Sequence, residues 1–295
     1  MTYFRATTCD EALARLAERN PHDGRHRRIV CGATDCFAEA ALVPAAFDWV
    51  DISRIEALRR IARDGRTVRI GAAASWEDIL ATSWLPASLR QAAQGVGSRQ
   101  IRVQGTLGGN LCHASPVADG MPPLLALDAQ VELASARGGR RLPLLAFVTG
   151  PRDIALHPDE LLVAIEFALP RDDARTAFIK CTNRDGSALA VVSAAVHVRV
   201  GDNSRIAEIA VVVGGASPVA RRMHAIEAAL MGRPIDALAA IVGSVESVAS
   251  APLPELAPID DGRGTAAHRT ALVRVAIARA LTSCLEESHH GASFV

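Results

Sequence analysis

The spacing of apolar residues predicts that helices and strands alternate through the first half of the chain. Thr8 and Glu11 match a helix-capping box, and Leu13 and Leu16 share one face of the helix that would follow. Residues 29–31 are β-branched or apolar and precede small and polar residues, which is typical of a strand ending in a tight turn. This part of the sequence therefore predicts a helix, a strand and a turn with backbone N–H groups free to meet an anion.

The same order recurs further along. Residues 68–70 are strand-like and a bend of small residues follows them. Ser75 is a good N-cap for a helix that begins at Trp76 and runs toward Leu85. We also predict a helix at about 87–93, a loop over most of residues 100–129, and strands near 130–134 and 161–169.

Beyond Pro170 the pattern changes. Residues 187–200 and 205–215 read as two long strands joined by a turn at 201–203. Amphipathic periodicity then predicts helices at 218–233, with Arg221 and Arg222 on a solvated face, and at 268–283. A Pro-rich and Gly-rich loop lies between them, and residues 286–295 are expected to fray. Two strands followed by helices indicate a separate α+β domain that begins near residue 172.

Composition excludes several classes of protein. The chain has 295 residues, 49% of them hydrophobic, and a formal net charge of zero. A neutral chain offers no electrostatic footprint for nucleic acid, and no apolar run approaches the roughly 20 residues of a membrane span. The N-terminal residues show no secretory signal, and the six cysteines form no dense framework. We expect a cytoplasmic protein with reduced cysteines.

The stretch "QIRVQGTLGGNLCHASPVADGMPPLLALDAQVEL", residues 100–133, carries the candidate chemistry. Its glycine pair, Gly108 and Gly109, would let the backbone approach a ligand closely, and Thr106 and Asn110 can donate hydrogen bonds to phosphate oxygens. A tight turn without a ligand explains the same residues. No G-x-G-x-x-G follows a strand and no Walker A pattern is present, so the common nucleotide-binding motifs are absent.

Six blocks together resemble the FAD-binding, medium subunit of the molybdenum hydroxylase family, which includes carbon monoxide dehydrogenase-like and xanthine dehydrogenase-like enzymes. In order they are "GATD", "RIGAAASWEDIL", the stretch 100–133, "HPDELLVAIEFALP", "FIKCTNRDGSALAVVSAAVHV" and "IAVVVGGASPVARR". The segment "TLGGNLCHASPVADGMPPLLAL" is the most specific of them, and the resemblance covers nearly the whole chain.

The resemblance implies an α+β protein of two domains. Residues 1–172 would form an FAD-binding domain of the vanillyl-alcohol-oxidase (PCMH) type, made of two α/β subdomains at about 1–53 and 54–172. Residues 176–285 would form the C-terminal α+β domain of the carbon monoxide dehydrogenase flavoprotein type. FAD would lie extended between the domains and be held non-covalently.

The resemblance also assigns residues to the cofactor. A first turn would contact the diphosphate with Ile29, Val30, Cys31, Gly32, Ala33, Thr34, Asp35 and Cys36. A second turn would use Thr106, Leu107, Gly108, Gly109 and Asn110, while Ser115, Asp119, Leu162 and Lys180 would lie close to FAD. Read from the sequence alone, Asp119 is a loop carboxylate, Leu162 a core residue and Lys180 a solvated strand end. At Ala33 many relatives have glycine, and alanine fits there only if φ is negative.

Its function, by the same resemblance, is oxidoreductase electron transfer without a catalytic acid or base on this chain. The molybdenum cofactor would lie on a large partner subunit and two [2Fe–2S] clusters on a small one, in a dimer of heterotrimers, with a small molecule as the external acceptor. No nucleic acid and no membrane span is expected on this chain. We also expect no bound metal, because Cys112 and His113 lack further ligands at suitable spacing. A stand-alone FAD-dependent oxidoreductase and an interaction subunit without FAD are the alternatives.

Overall fold

The computed structural model describes residues 2–18, 26–36, 47–201, 203–234 and 253–290. Contacts divide the chain into two compact units. Unit 1 comprises residues 1–81, 98–114 and 129–168, and unit 2 comprises residues 82–97, 115–128 and 169–295. The chain therefore enters unit 2 twice, briefly, before residue 169. The predicted boundary near residue 172 lies close to residue 169, where the third and longest segment of unit 2 begins. The domain limits themselves stay a prediction.

Unit 1 begins with a three-stranded parallel sheet of order β1–β3–β2. Its strands are β1 (Tyr3–Arg5), β2 (His26–Val30) and β3 (Phe47–Asp51). The helix Cys9–Ala17 follows β1, and Thr8 caps it as predicted, since the Thr8 side chain accepts from the Glu11 amide. Ala12 and Leu16 are buried on its inner face.

A five-stranded antiparallel sheet of order β4–β5–β10–β6–β7 completes the core of unit 1. Its strands are β4 (Ile61–Asp64), β5 (Thr67–Gly71), β6 (Gln130–Ser135), β7 (Gly138–Pro143) and β10 (Leu161–Ala168). Two very short strands, β8 (Val148–Gly150) and β9 (Asp153–Ile154), pair with each other. The strands predicted near 130–134 and 161–169 are confirmed.

The helices of unit 1 are short. They span Trp76–Ala81, Arg99–Gln104, Leu107–His113 and Leu144–Phe147, with a 3-10 turn at Glu56–Leu58. Ser75 caps the first of them as predicted, because its hydroxyl accepts from the Asp78 amide. That helix ends at Ala81, so the prediction that it runs toward Leu85 was wrong. The Leu85 amide instead donates to the Thr82 carbonyl in a turn, consistent with the bias against helix just before Pro86.

The loop predicted for most of residues 100–129 is largely helical, which corrects the sequence interpretation. Arg99–Gln104 and Leu107–His113 lie in unit 1, and Met121–Ala126 lies in unit 2. Glycine and proline suggested a loop, but here the glycine pair stands in the first turn of a capped helix and the prolines stand at the start of another. At both places these residues cost a helix little.

Unit 2 contains an antiparallel sheet of order β11–β12–β13–β14. Its strands are β11 (Ala174–Cys181), β12 (Val192–Val200), β13 (Ile206–Gly214) and β14 (Arg221–Arg222). The helices of this unit are Ala87–Gly95, Met121–Ala126, His224–Leu230 and Ala266–His290. Alternate residues of β12, from Val192 to Val198, join the apolar core under the long helix, so the intervening residues face the other side.

Three predictions in unit 2 need correction. Arg221 and Arg222 form a strand, not a helix face, and Arg222 binds Asp128 and Glu227 at 2.8 Å. The helix predicted at 218–233 is limited to His224–Leu230. The last helix continues to His290, past the point where fraying was expected, and residues 291–295 lie outside the described residues. The α+β fold class is confirmed, and the described helices include none long and apolar enough to cross a membrane.

Candidate functional site

The first predicted turn directly follows β2, in which Ile29 and Val30 lie. Thr34 and Asp35 are exposed, and Gly32 and Ala33 are half-buried. Among the described residues, the backbone amides of Gly32, Ala33 and Thr34 donate to no protein acceptor. A turn with successive unpaired N–H groups is suited to an anion such as a phosphate.

Ala33 departs from the sequence expectation. Its φ is +57°, in the left-handed region, whereas a negative φ was the condition for alanine there. A Cβ in this region costs about 1–2 kcal/mol, which glycine avoids. The turn therefore keeps its conformation despite the alanine.

The second turn uses its amides inside the protein. Leu107 donates to the Ala74 carbonyl at 3.0 Å and Gly108 to the Ala72 carbonyl at 2.9 Å. Gly109 donates to Thr106 Oγ1 at 3.1 Å. Within the described residues, amides without an acceptor are thus found in the first turn and not at Leu107, Gly108 or Gly109.

The glycines of the two turns differ in what surrounds them. A Cβ on Gly32 would lie 1.9 Å from the Gln104 carbonyl oxygen, and one on Gly108 would lie 2.5 Å from the Ala72 carbonyl oxygen. Glycine is therefore required at both positions, because any Cβ there would collide with the backbone of another segment. A Cβ on Gly109 would approach only Thr106 Oγ1, at 2.9 Å. Gly109 presents a bare backbone that nothing else in the described chain covers.

The two turns, separate in sequence, meet in unit 1. Gly32 packs on the backbone of Gln104, and the Thr106 side chain is close enough to the Cys31 thiol to lower its pKa slightly. Burial, with a further contribution from Asp51, raises the pKa of Cys31 to about 11, so this thiol stays protonated. The unpaired amides of one turn and the bare glycine of the other belong to the same part of unit 1.

Cysteine and histidine near the second turn have no sign of metal chemistry. Burial raises the pKa of Cys112 to about 12. Within the residues that the structure describes, no group of three His, Cys, Asp or Glu side chains is placed to hold a metal ion.

Asp119 and Lys180 form a buried ion pair in unit 2. Lys180 Nζ lies 2.7 Å from Asp119 Oδ2 and donates at 2.9 Å to the Gly95 carbonyl. Asp119 Oδ1 is buried without a hydrogen-bond partner. Asp119 does lie in a turn, as the sequence alone indicates, but it is buried there, and the reading of Lys180 as a solvated strand end was wrong. Local pattern does not link the two residues, because 61 positions separate them.

The pKa of the Asp119 carboxyl lies well above its ordinary value. Burial raises its pKa to about 6, and the charge and hydrogen bond of Lys180 oppose that rise. The pair can thus change its net charge near neutral pH, which an exposed ion pair does not do.

The positions of Ser115 and Leu162 say little about a cofactor. Ser115 is the first residue of the second segment of unit 2, and its hydroxyl accepts from the Val117 amide at 3.4 Å. Leu162 lies in β10, is buried and pairs with Leu133 of β6. The sequence reading of Leu162 as a core residue is confirmed, and its contact with a cofactor stays a prediction.

Comparison with known proteins identifies the family. The pattern of the FAD binding domain in molybdopterin dehydrogenase matches residues 1–170, and that of the CO dehydrogenase flavoprotein C-terminal domain matches residues 177–284. The chain belongs to the FAD-binding subunits of the molybdenum hydroxylase family, and so is an oxidoreductase flavoprotein subunit.

Individual relatives agree. A putative xanthine dehydrogenase FAD-binding subunit of Escherichia coli K12 is 32% identical over 281 residues, 92% of each chain. The carbon monoxide dehydrogenase medium chain of Hydrogenophaga pseudoflava is 28% identical over 237 residues, 79% of this chain and 80% of that one. The solved carbon monoxide dehydrogenase from the same organism superposes with a TM-score of 0.84 at 26% identity, covering 97% of both chains.

Proposed function

We propose that this chain holds FAD non-covalently and passes electrons from the [2Fe–2S] clusters of a partner subunit to an external small-molecule acceptor. The observation that carries the proposal is the junction of the two turns in unit 1. There, three amides without an acceptor among the described residues lie in the turn that packs against the second turn, which carries Gly109.

These residues fit the diphosphate of FAD. The amides of Gly32, Ala33 and Thr34 would donate to phosphate oxygens, and Gly109 would allow close approach because no Cβ intervenes. No lysine or arginine belongs to either turn, so neutral N–H groups would carry this recognition. The side chains of Thr34 and Asn110 would add polar contacts at the edges.

We propose, from the family resemblance, that the buried pair of unit 2 lies near the ring system of FAD. Asp119 Oδ1 is an acceptor without a partner, and the Lys180 ammonium has one donor more than the two it uses. Bound FAD supplies the redox chemistry, and a nearby cation favours the reduced ring by stabilising negative charge. Leu162 would add an apolar contact. The chain's own residues thus bind, orient and tune the cofactor, and none acts as a general acid or base.

The partners follow from the family. Carbon monoxide dehydrogenase relatives are medium chains, a name that places them among other subunits. We propose a large subunit with the molybdenum cofactor and a small subunit with two [2Fe–2S] clusters, assembled as a dimer of heterotrimers in the cytoplasm. Substrate oxidation would take place on the large subunit, so this chain needs no substrate pocket of its own.

Anaerobic bleaching of the flavin band tests the electron-transfer role. The FAD-loaded chain alone is expected to bleach with dithionite but with no organic substrate of the parent enzyme. After the iron–sulfur and molybdenum subunits are added, the substrate should bleach it as well. Bleaching by an organic substrate in the isolated chain would reject the proposal in favour of a stand-alone oxidoreductase.

A further inference from the structure

Ser193 lies opposite Lys180 in the sheet of unit 2. The two residues are a register pair between the antiparallel strands β11 and β12. Directly paired residues of an antiparallel sheet project their side chains to the same face. Ile179 and Val192 pack in the core under the long helix, so Lys180 and Ser193 face away from it. The Ser193 side chain therefore shares its face with the Asp119–Lys180 pair.

Its hydroxyl is buried beside the segment that carries Asp119. Ser193 is 1% exposed. A Cβ on Gly214 would lie 2.8 Å from Ser193 Oγ and 3.0 Å from Pro122 Cγ, which places the hydroxyl near the helix Met121–Ala126. That helix begins two residues after Asp119. The short connection keeps Asp119 and Ser193 in one neighbourhood.

Two polar atoms of this neighbourhood have complementary needs. Ser193 Oγ and Asp119 Oδ1 are each buried without a hydrogen-bond partner. A hydroxyl can donate and a carboxylate oxygen can accept, and the Lys180 ammonium has a third donor to spare. Leaving such groups unpaired is costly, and a single buried water typically makes about three hydrogen bonds to groups of this kind.

We propose that Ser193 is a positioning residue for the Asp119–Lys180 pair and binds Asp119 Oδ1 through one buried water molecule. In this arrangement the Ser193 hydroxyl holds the water in place and the water donates to Asp119 Oδ1, which favours the charged form of the carboxylate. Ser193 thereby sets how readily Asp119 takes up a proton. It also sets the charge of the cluster, which is zero with Asp119 ionised and one positive unit with Asp119 protonated.

Few other charged groups act on Asp119. The helix Met121–Ala126 carries no titratable side chain. The helix Ala87–Gly95 carries Arg90, whose guanidinium donates to the Ser83 carbonyl. The nearest titratable groups of β12 and β13 on this face are His197 and Glu208, toward the other end of the sheet.

Lys180 on β11 is the one charged group whose interaction with Asp119 is resolved within the described chain. Arg222 of β14 is bound by Asp128 and Glu227. Changes in the titration of Asp119 therefore report on Lys180 and on the hydroxyl of Ser193.

The test is a carbon-13 NMR titration of aspartate carboxyl groups in the full chain without FAD, with the Asp119 signal assigned by Asp119→Asn. Ser193→Ala removes the partner that holds the water, so the hydrogen bond from the water to the charged carboxylate is lost. The pKa of Asp119 should then rise by about one unit, which makes it a tenfold weaker acid. Ser88→Ala is the matched control, because Ser88 Oγ is also buried and unpaired in unit 2. It should leave the Asp119 curve unchanged.

Identical Asp119 curves in the wild type and Ser193→Ala would overturn the proposal, as would equal shifts in Ser193→Ala and Ser88→Ala. Because the measurement needs no cofactor, its failure is distinct from a failure to bind FAD. A redox consequence rests on the proposed function. In FAD-loaded protein, the flavin reduction potential should rise as pH falls and Asp119 takes up a proton. In Ser193→Ala this rise should begin at a higher pH than in the wild type, and in Ser88→Ala it should begin at the same pH.

Discussion

Gly32 packs against the backbone of Gln104 so closely that a Cβ on Gly32 would lie 1.9 Å from the Gln104 carbonyl oxygen. Backbone atoms cannot move aside as a flexible side chain can, so Gly32→Ala should separate the two turns. We expect a loss of stability of about 3 kcal/mol, measured by urea unfolding, from this overpacking. Unchanged stability would show that the turns do not pack as described.

Gly109→Ala should behave in the opposite way. Its Cβ would meet only Thr106 Oγ1, so the fold should survive with a small loss of stability. The methyl group would occupy the space proposed for the phosphate, and FAD affinity should fall at least about tenfold, or about 1.4 kcal/mol. Fluorescence titration with FAD measures this. Gly262→Ala is the control, because nothing lies within 4 Å of a Cβ there. Equal affinities in both variants would remove Gly109 from the site.

The contrast between these glycines marks the limit of sequence reading. Residue type and spacing identified the first turn, and local capping at Thr8 and Ser75 was predicted correctly, but the second turn proved to be the start of a helix. It could not separate Gly108 from Gly109, because the difference lies in the carbonyl of Ala72, 36 positions before Gly108. Long-range approach is set by the fold rather than by the local pattern.

The Asp119–Lys180 pair shows the same limit. Asp119 reads from the local pattern as a loop carboxylate and Lys180 as a solvated strand end, so the local pattern does not predict that they pair. Their pairing depends on residues 115–128, which belong to unit 2 although they precede all of its strands along the chain. The register of β11 with β12, which brings Ser193 opposite Lys180, is likewise invisible in the sequence.

Ala33→Gly should stabilise the chain. Ala33 has a φ of +57°, where a Cβ is strained, and glycine relieves that strain by about 1 kcal/mol. Ala228→Gly, in the exposed middle of the helix His224–Leu230, should instead cost about 1 kcal/mol. Urea unfolding of both variants gives the comparison. Destabilisation by Ala33→Gly would mean that the turn gains nothing from glycine at this φ.

Lys180→Met should make stability more dependent on pH. Because the folded pKa of Asp119 is raised to about 6, its stabilising effect is present below the unfolded pKa and lost as pH rises through 6. Without Lys180, which lowers that pKa, the folded value rises further and the loss continues to higher pH. Each further unit by which the folded pKa of Asp119 rises lowers the free energy of unfolding at high pH by about 1.4 kcal/mol.

Urea unfolding at pH 5 and pH 8 measures the difference. Lys180→Met should fall further below the wild type at pH 8 than at pH 5, and adding Asp119→Asn should remove the extra dependence. An equal deficit at both pH values would show that Asp119 does not feel the lysine charge.

Because this chain belongs to the FAD-binding subunits of its family, the cofactor content of the full chain is the decisive measurement. The chain is purified with its partners or reconstituted with FAD, washed, and precipitated with acid. We expect close to one FAD per chain, released into a yellow supernatant because no covalent bond holds it. A colourless protein that takes up no FAD on reconstitution would show that this chain does not bind the cofactor.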